Sequence, residues 1–128
     1  MESFVECVPN VSEGRDADTL DAIAETIEDQ AGTWLLDRTA DPDHGRAVYT
    51  LAGFPGRVMG AMEAVVGVAL ERIDMNRQSG GHPRIGAVDV IPFVPLGDTT
   101  MEQCVAGAEE FAERIADRYE LPVYLYAR

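Results

Sequence analysis

Three stretches of this chain are apolar on one side only, at helical spacing, and nothing else in the sequence restricts the fold as much. Leu20, Ile23, Ala24 and Ile27 make the first stripe. Val58, Met62, Val65, Val66, Ala69, Leu70 and Ile73 make the second, behind Pro55. Met101, Cys104, Val105, Ala108, Phe111, Ala112 and Ile115 make the third. A one-sided helix must bury its stripe against another layer, and three of them cover one face of a sheet. Short apolar runs supply that sheet: Phe4–Val8, Thr33–Asp37, Ala47–Gly53, Val88–Val94 and the closing "PVYLYA". The predicted order is βαββαβαβ. The predicted fold is an α/β two-layer (α+β) sandwich, ferredoxin-like, with a mixed sheet and three amphipathic helices on one face. The chain of 128 residues, 46% of them hydrophobic, reads as one domain over 1–128.

Local signals set the expected boundaries. Asp16 or Asp18 caps the first helix, and Gly32 ends it. Thr99 and Glu102 form a capping box for the third helix. Pro92 and Pro95 cannot donate to a ladder, so the strand that holds them is irregular or lies at an edge. Cys7 and Cys104 sit in apolar segments at a spacing that matches no zinc or redox motif, and are expected as buried thiols. No metal site is expected, because two histidines on separate loops and two isolated cysteines fall short of a ligand set.

The charge balance excludes whole classes of partner. The formal net charge is −13, and every one of the ten basic residues is arginine. Phosphate backbones and anionic bilayers both select basic surfaces, so neither nucleic acid nor membrane is an expected partner. No apolar run approaches the roughly 18 residues of a membrane helix, and the N-terminus has neither a basic leader nor a signal segment. A cytoplasmic location is the expectation. The acidity fits solubility or a high-salt setting and names no substrate.

Chemistry gathers in three polar connections: "PNVSEG" (Pro9–Gly14), "DPDHGR" (Asp41–Arg46) and "GGHPR" (Gly80–Arg84). Asn10, Ser12 and Glu13 suit turn formation and helix capping as well as binding. Asp41, His44 and Arg46 suit a solvated turn equally. His82 has a more specific setting. Glycines before it permit close approach of a ligand, and Pro83 biases it toward extended backbone. An imidazole held in a loop can act as general acid and base, since its ordinary pKa is near 6.5. Asp89 either orients His82, binds Arg84 or faces solvent on an alternating strand.

Taken in register, "VECVPNVSEGR", "HGRAVYTLAG", "IDMNRQSGGHPRIGAVDVIPFVP" and "PVYLYA" resemble glutamate formiminotransferase over essentially the whole chain. That resemblance implies transfer of the formimino group of N-formiminoglutamate to N5 of tetrahydrofolate, in histidine catabolism, with tetrahydrofolate as co-substrate. The family's catalytic histidine falls on His82. An imidazole there would take a proton from the attacking nitrogen and give it to the departing amine of glutamate. Both substrates are anionic, and arginine forks suit carboxylates. Arg46 and Arg84 are the candidate clamps, with Arg77 third, and Asn10, Ser12, Glu13, Asp41 and His44 would line the same cleft.

The sequence departs from the family's pattern in places. An aspartate of animal members aligns at Thr39, whereas the acids here are Asp37, Asp41 and Asp43. Position 45, often asparagine in relatives, is Gly45. The family's transferase unit has two subdomains of similar size with folate between them. The resemblance therefore implies that residues 1–128 correspond to the N-terminal one, with the second, folate-side subdomain lying outside them. A partner chain supplying that half, and a homodimer that covers the sheet face, are expected accordingly. The competing expectation is a stand-alone folate- or anion-binding or dimerisation domain without turnover.

Overall fold

The structure is a computed structural model that describes residues 3–73 and 88–120, the side chains of Asp89 and Val90 excepted. Nine elements follow one another among the described residues: β1 (Ser3–Cys7), β2 (Asn10–Val11), α1 (Ala17–Glu28), β3 (Thr33–Asp41), β4 (Arg46–Gly53), α2 (Pro55–Arg72), β5 (Val88–Val90), β6 (Phe93–Gly97) and α3 (Met101–Tyr119). The expected closing strand, "PVYLYA", lies outside the described residues.

Strand β4 is the centre of the sheet. It pairs with β3 on one side and with β1 and β2 on the other. β1 and β2 behave as one strand broken at Val8–Pro9, and the ladder is carried across the break by the Tyr49 N–H donating to the Pro9 carbonyl at 3.1 Å. β5 and β6 lie along β2 and β1 in the same manner, broken at Ile91–Pro92. There the Val8 N–H donates to the Pro92 carbonyl at 3.2 Å. Among the described strands the sheet thus runs β3, β4, β1 with β2, then β6 with β5, and in that set the last pair lies at the edge, where proline is tolerated.

All these pairings are antiparallel. The parallel neighbours expected in the middle of the sheet do not occur among the described strands. The reason is topological. β1 and β3, joined through α1, do run the same way, but β4 lies between them and opposes both. The same holds for β4 and β6, which flank β1. This is the split β-α-β arrangement of a ferredoxin-like fold.

Alternation along β4 defines the two faces. Ala47, Tyr49 and Leu51 are buried, while Arg46, Val48, Thr50 and Ala52 are not. The inner face, with Val5, Cys7 and Val11, meets Ile23 and Ile27 of α1, Val58, Met62 and Val65 of α2, and Cys104, Phe111 and Ile115 of α3 in one core. The Tyr49 hydroxyl donates to the Leu20 carbonyl at 2.7 Å, fastening α1 to the sheet. Burial pushes that phenol up to about 12. Both cysteines are free and buried, as expected, and burial raises both thiols.

Several boundaries differ from the sequence reading. Asp16 is the cap of α1, with its carboxylate accepting from the N–H groups of Asp18 and Thr19. That helix stops at Glu28, before Gly32. β3, which carries a bulge at Leu36 that resets its alternation, continues four residues past the expected Asp37. The capping box of α3 is Thr100 with Gln103, one residue beyond the expected Thr99 and Glu102.

Candidate functional site

The directions of the strands decide where the polar connections go. β2 ends at Val11, β3 ends at Asp41, β4 begins at Arg46 and β5 begins at Val88. Val11 stands opposite Ala47 on one side and Val88 on the other. All four strand ends therefore share one rim of the sheet. The loop after β2 and the β3–β4 turn open on it, and the chain enters β5 there.

Contact between the first two connections is close. Gly14 is buried, and a Cβ on it would stand 2.4 Å from the Asp41 carbonyl oxygen and 2.8 Å from the Arg46 nitrogen. No side chain fits there, so glycine is required for the loop to lie on the turn. The loop is tied internally by Glu13, whose carboxylate accepts from the N–H groups of Arg15 and Asp16, each at 3.0 Å.

The turn is organised by Asp41. One of its oxygens accepts from the N–H groups of Asp43 and His44 at 3.0 and 3.3 Å, and the other lies 2.6 Å from His44 Nδ1. The His44 hydrogen bond is the main reason that the Asp41 carboxyl is held below its ordinary range. Gly45 has φ +63°, a left-handed conformation that asparagine also tolerates, which accounts for either residue occurring there. Asp41 and Arg46 are cross-strand partners at the last rung of the ladder.

Asn10 is half-buried on the outer face, in one row with Thr39, Val48 and Val90. Ser12, half-buried, follows directly. Asp37, Thr39 and Asp41 alternate along β3 toward the same outer side, opposite Thr50, Val48 and Arg46. Arg38 points the other way and bonds Asp21 of α1 at 2.7 Å.

Of the expected site residues, Asn10, Ser12, Glu13, Asp41, His44 and Arg46 are thus gathered on one rim. His82, Arg84 and Arg77 lie outside the described residues, as does the side chain of Asp89. Sequence reasoning overlooked Gly14 and the row that joins Thr39 to Asn10. A glycine beside a capping acid, and the continued period of two in β3, were the available signals. Among the described residues no group of three or more histidine, cysteine or acidic side chains is placed to hold a metal. No described helix is long and apolar enough to cross a membrane.

The family model described as the formiminotransferase domain, N-terminal subdomain, matches residues 4–128. The chain belongs to that family. A glutamate formimidoyltransferase of Thermoplasma acidophilum is 46% identical over 125 residues, covering 98% of this chain and 41% of that protein. One of Streptococcus pyogenes serotype M1 is 41% identical, covering 98% and 42%. A formimidoyltransferase-cyclodeaminase of Dictyostelium discoideum is 45% identical, covering 98% of this chain and 24% of that protein. The chain therefore spans about two fifths of the single-activity relatives and a quarter of the bifunctional one. Resemblance read from four motifs and the whole-chain match agree on the family.

Proposed function

We propose that this chain contributes the catalytic histidine, His82, and part of the substrate cleft to transfer of the formimino group from N-formiminoglutamate to N5 of tetrahydrofolate. The observation that carries the reading is the common rim. Two of the three polar connections pack against each other at Gly14, Asp41 and Arg46, and the third, which holds His82, is followed by β5, whose first residue, Val88, faces Val11.

On this reading Arg46 and Arg84 hold carboxylates of the two anionic substrates, and Asn10, Ser12, Glu13, Asp41 and His44 complete the wall of the cleft. His82 moves one proton, from the attacking N5 to the departing glutamate amine, so that the amine leaves neutral. Orientation of the two substrates supplies much of the remaining rate.

The opposite half of the cleft comes from a second, folate-side subdomain, either as further residues or as a partner chain. The outer sheet face supports a covering partner, because Trp34, Leu36, Val94 and Leu96 are exposed on it. A homodimer would cover the same face without turnover, and that is the alternative reading. Two free thiols suit a reducing cytoplasm.

The test mixes the chain, alone and with a folate-side half from a relative, with tetrahydrofolate and N-formiminoglutamate, and follows 5-formiminotetrahydrofolate by absorbance. His82→Ala is expected to lower the rate by about 10²–10⁴-fold with substrate binding retained. Equal turnover by wild type and His82→Ala overturns the catalytic assignment. A dimer by light scattering, with no turnover in either mixture, favours the alternative.

A further inference from the structure

Away from the rim, the outer face of the sheet is apolar around a single carboxylate. Glu6 stands between buried Val5 and Cys7 on β1, so its side chain lies on the outer side. Across the sheet it shares one row with Trp34 of β3, Ala52 of β4 and Val94 of β6. In the next row Phe4 faces Leu96 and stacks on Phe54 at 5.2 Å. Trp34, Val94 and Leu96 are exposed.

Glu6 is half-buried, and among the described residues no hydrogen bond or ion pair engages its carboxylate. The cation that β4 carries on this face, Arg46, stands at the other end of the strand from Ala52, about 20 Å away at roughly 3.3 Å per residue. Arg38 points to the inner side and is held by Asp21 of α1.

An exposed apolar patch of this kind calls for cover, and the carboxylate decides which cover is tolerated. A carboxylate open to water needs no partner, but one sealed under another surface is costly unless a cation meets it. Two copies joined through this face by a two-fold axis would bring Glu6 toward its own image, with no cation of either copy beside it. Each copy also carries a formal net charge of −13, which repels the other. The single-activity relatives are more than twice as long as this chain, which leaves length for a second, non-identical unit.

We propose that Glu6 selects the partner of this face. It admits a folate-side subdomain whose contact surface is apolar with one arginine or lysine opposite the carboxylate, and it turns away a second copy of the chain. The existence of that subdomain rests on the function proposed above, whereas the role of Glu6 is independent of His82.

Sedimentation of the 128-residue chain tests the rejection. Glu6→Leu, which makes the apolar face continuous, is expected to self-associate at least tenfold more tightly than wild type. Glu113→Gln, on the exposed side of α3, removes the same charge and is expected to change nothing. Equal or weaker self-association of Glu6→Leu overturns the inference, and so does a Glu113→Gln chain that behaves like it. Co-expression with the folate-side half of the Thermoplasma acidophilum relative tests the pairing, with no substrate present. Glu6→Gln keeps the shape and removes the charge, and is expected to weaken that complex roughly ten- to a hundredfold, the value of one charge-assisted hydrogen bond. Glu6→Arg is expected to abolish it. Failure of the wild-type halves to assemble, or assembly of Glu6→Gln as tight as wild type, overturns the inference whatever the turnover. Assembly that depends on Glu6 without turnover upholds it and overturns the catalytic reading instead.

Discussion

Strand β4 displays both faces of the sheet within eight residues. On the inner side Ala47, Tyr49 and Leu51 are sealed under the helices. On the outer side Arg46, Val48, Thr50 and Ala52 remain within reach of solvent. Along β4 the inner positions are uniformly apolar, because a core must exclude water. The outer face is graded. Near the rim it carries Arg46, Asp41, Thr39 and Asn10. At the far end Phe4 stacks on Phe54 at 5.2 Å, with Trp34 6.1 Å from the same ring. One face thus specifies the fold, while the other is free to carry polar chemistry at one end and an aromatic patch at the other.

Substitutions can break or sharpen that contrast. The largest effect is expected inside. Leu51→Ala removes a fully buried side chain at the sheet centre and should cost about 2–5 kcal/mol, read by thermal or urea unfolding. Next comes the rim. Gly14→Ala drives a methyl group into the Asp41 and Arg46 backbone, and a loss of about 1–3 kcal/mol is expected, with turnover falling alongside as the two connections part. If Gly14→Ala leaves both unchanged, the rim is not packed as described.

On the outer face, Trp34→Ser and Leu36→Ser should alter the stability of the isolated chain by no more than about 0.5 kcal/mol, since both side chains are more than half exposed. Solubility should rise, and association with a covering partner should fall. The smallest effect concerns Asp41. Its carboxyl is held below the ordinary value when folded, so the stabilisation is present above the unfolded pKa of about 3.9 and is lost as pH falls through the lower folded value. His44→Ala should return that carboxyl toward its ordinary range in an NMR titration and blunt this acid dependence.

The contrast between faces also explains what could be read from the sequence. Helical stripes were legible because burial on one side imposes a period that each segment carries by itself. Two adjacent threonines, each followed three residues on by a Glu or Gln, made the start of α3 ambiguous. Packing resolves it by burying Thr99 and leaving Thr100 to cap. The Asn10–Val11 strand was read as a turn, since a two-residue strand rests wholly on partners from β4 and β5, distant in sequence. β3 was cut short because its last residues, Arg38–Asp41, are exposed and run into the breakers Pro42 and Gly45, while the partners that make them a strand, Arg46–Tyr49, lie across the turn. As for the site, turn and capping residues were visible one loop at a time. That they share a rim follows from strand direction, which no single segment encodes.

Pro9 and Pro92 interrupt neighbouring strands at the same height, next to the Val8–Pro92 hydrogen bond. These strands are thereby divided crosswise into a short block, β2 with β5, and a longer one, β1 with β6, both held along β4 or its neighbours. Proline supplies no amide at either break, so the short block leans on the unbroken β4 and is expected to open to hydrogen exchange before the longer one.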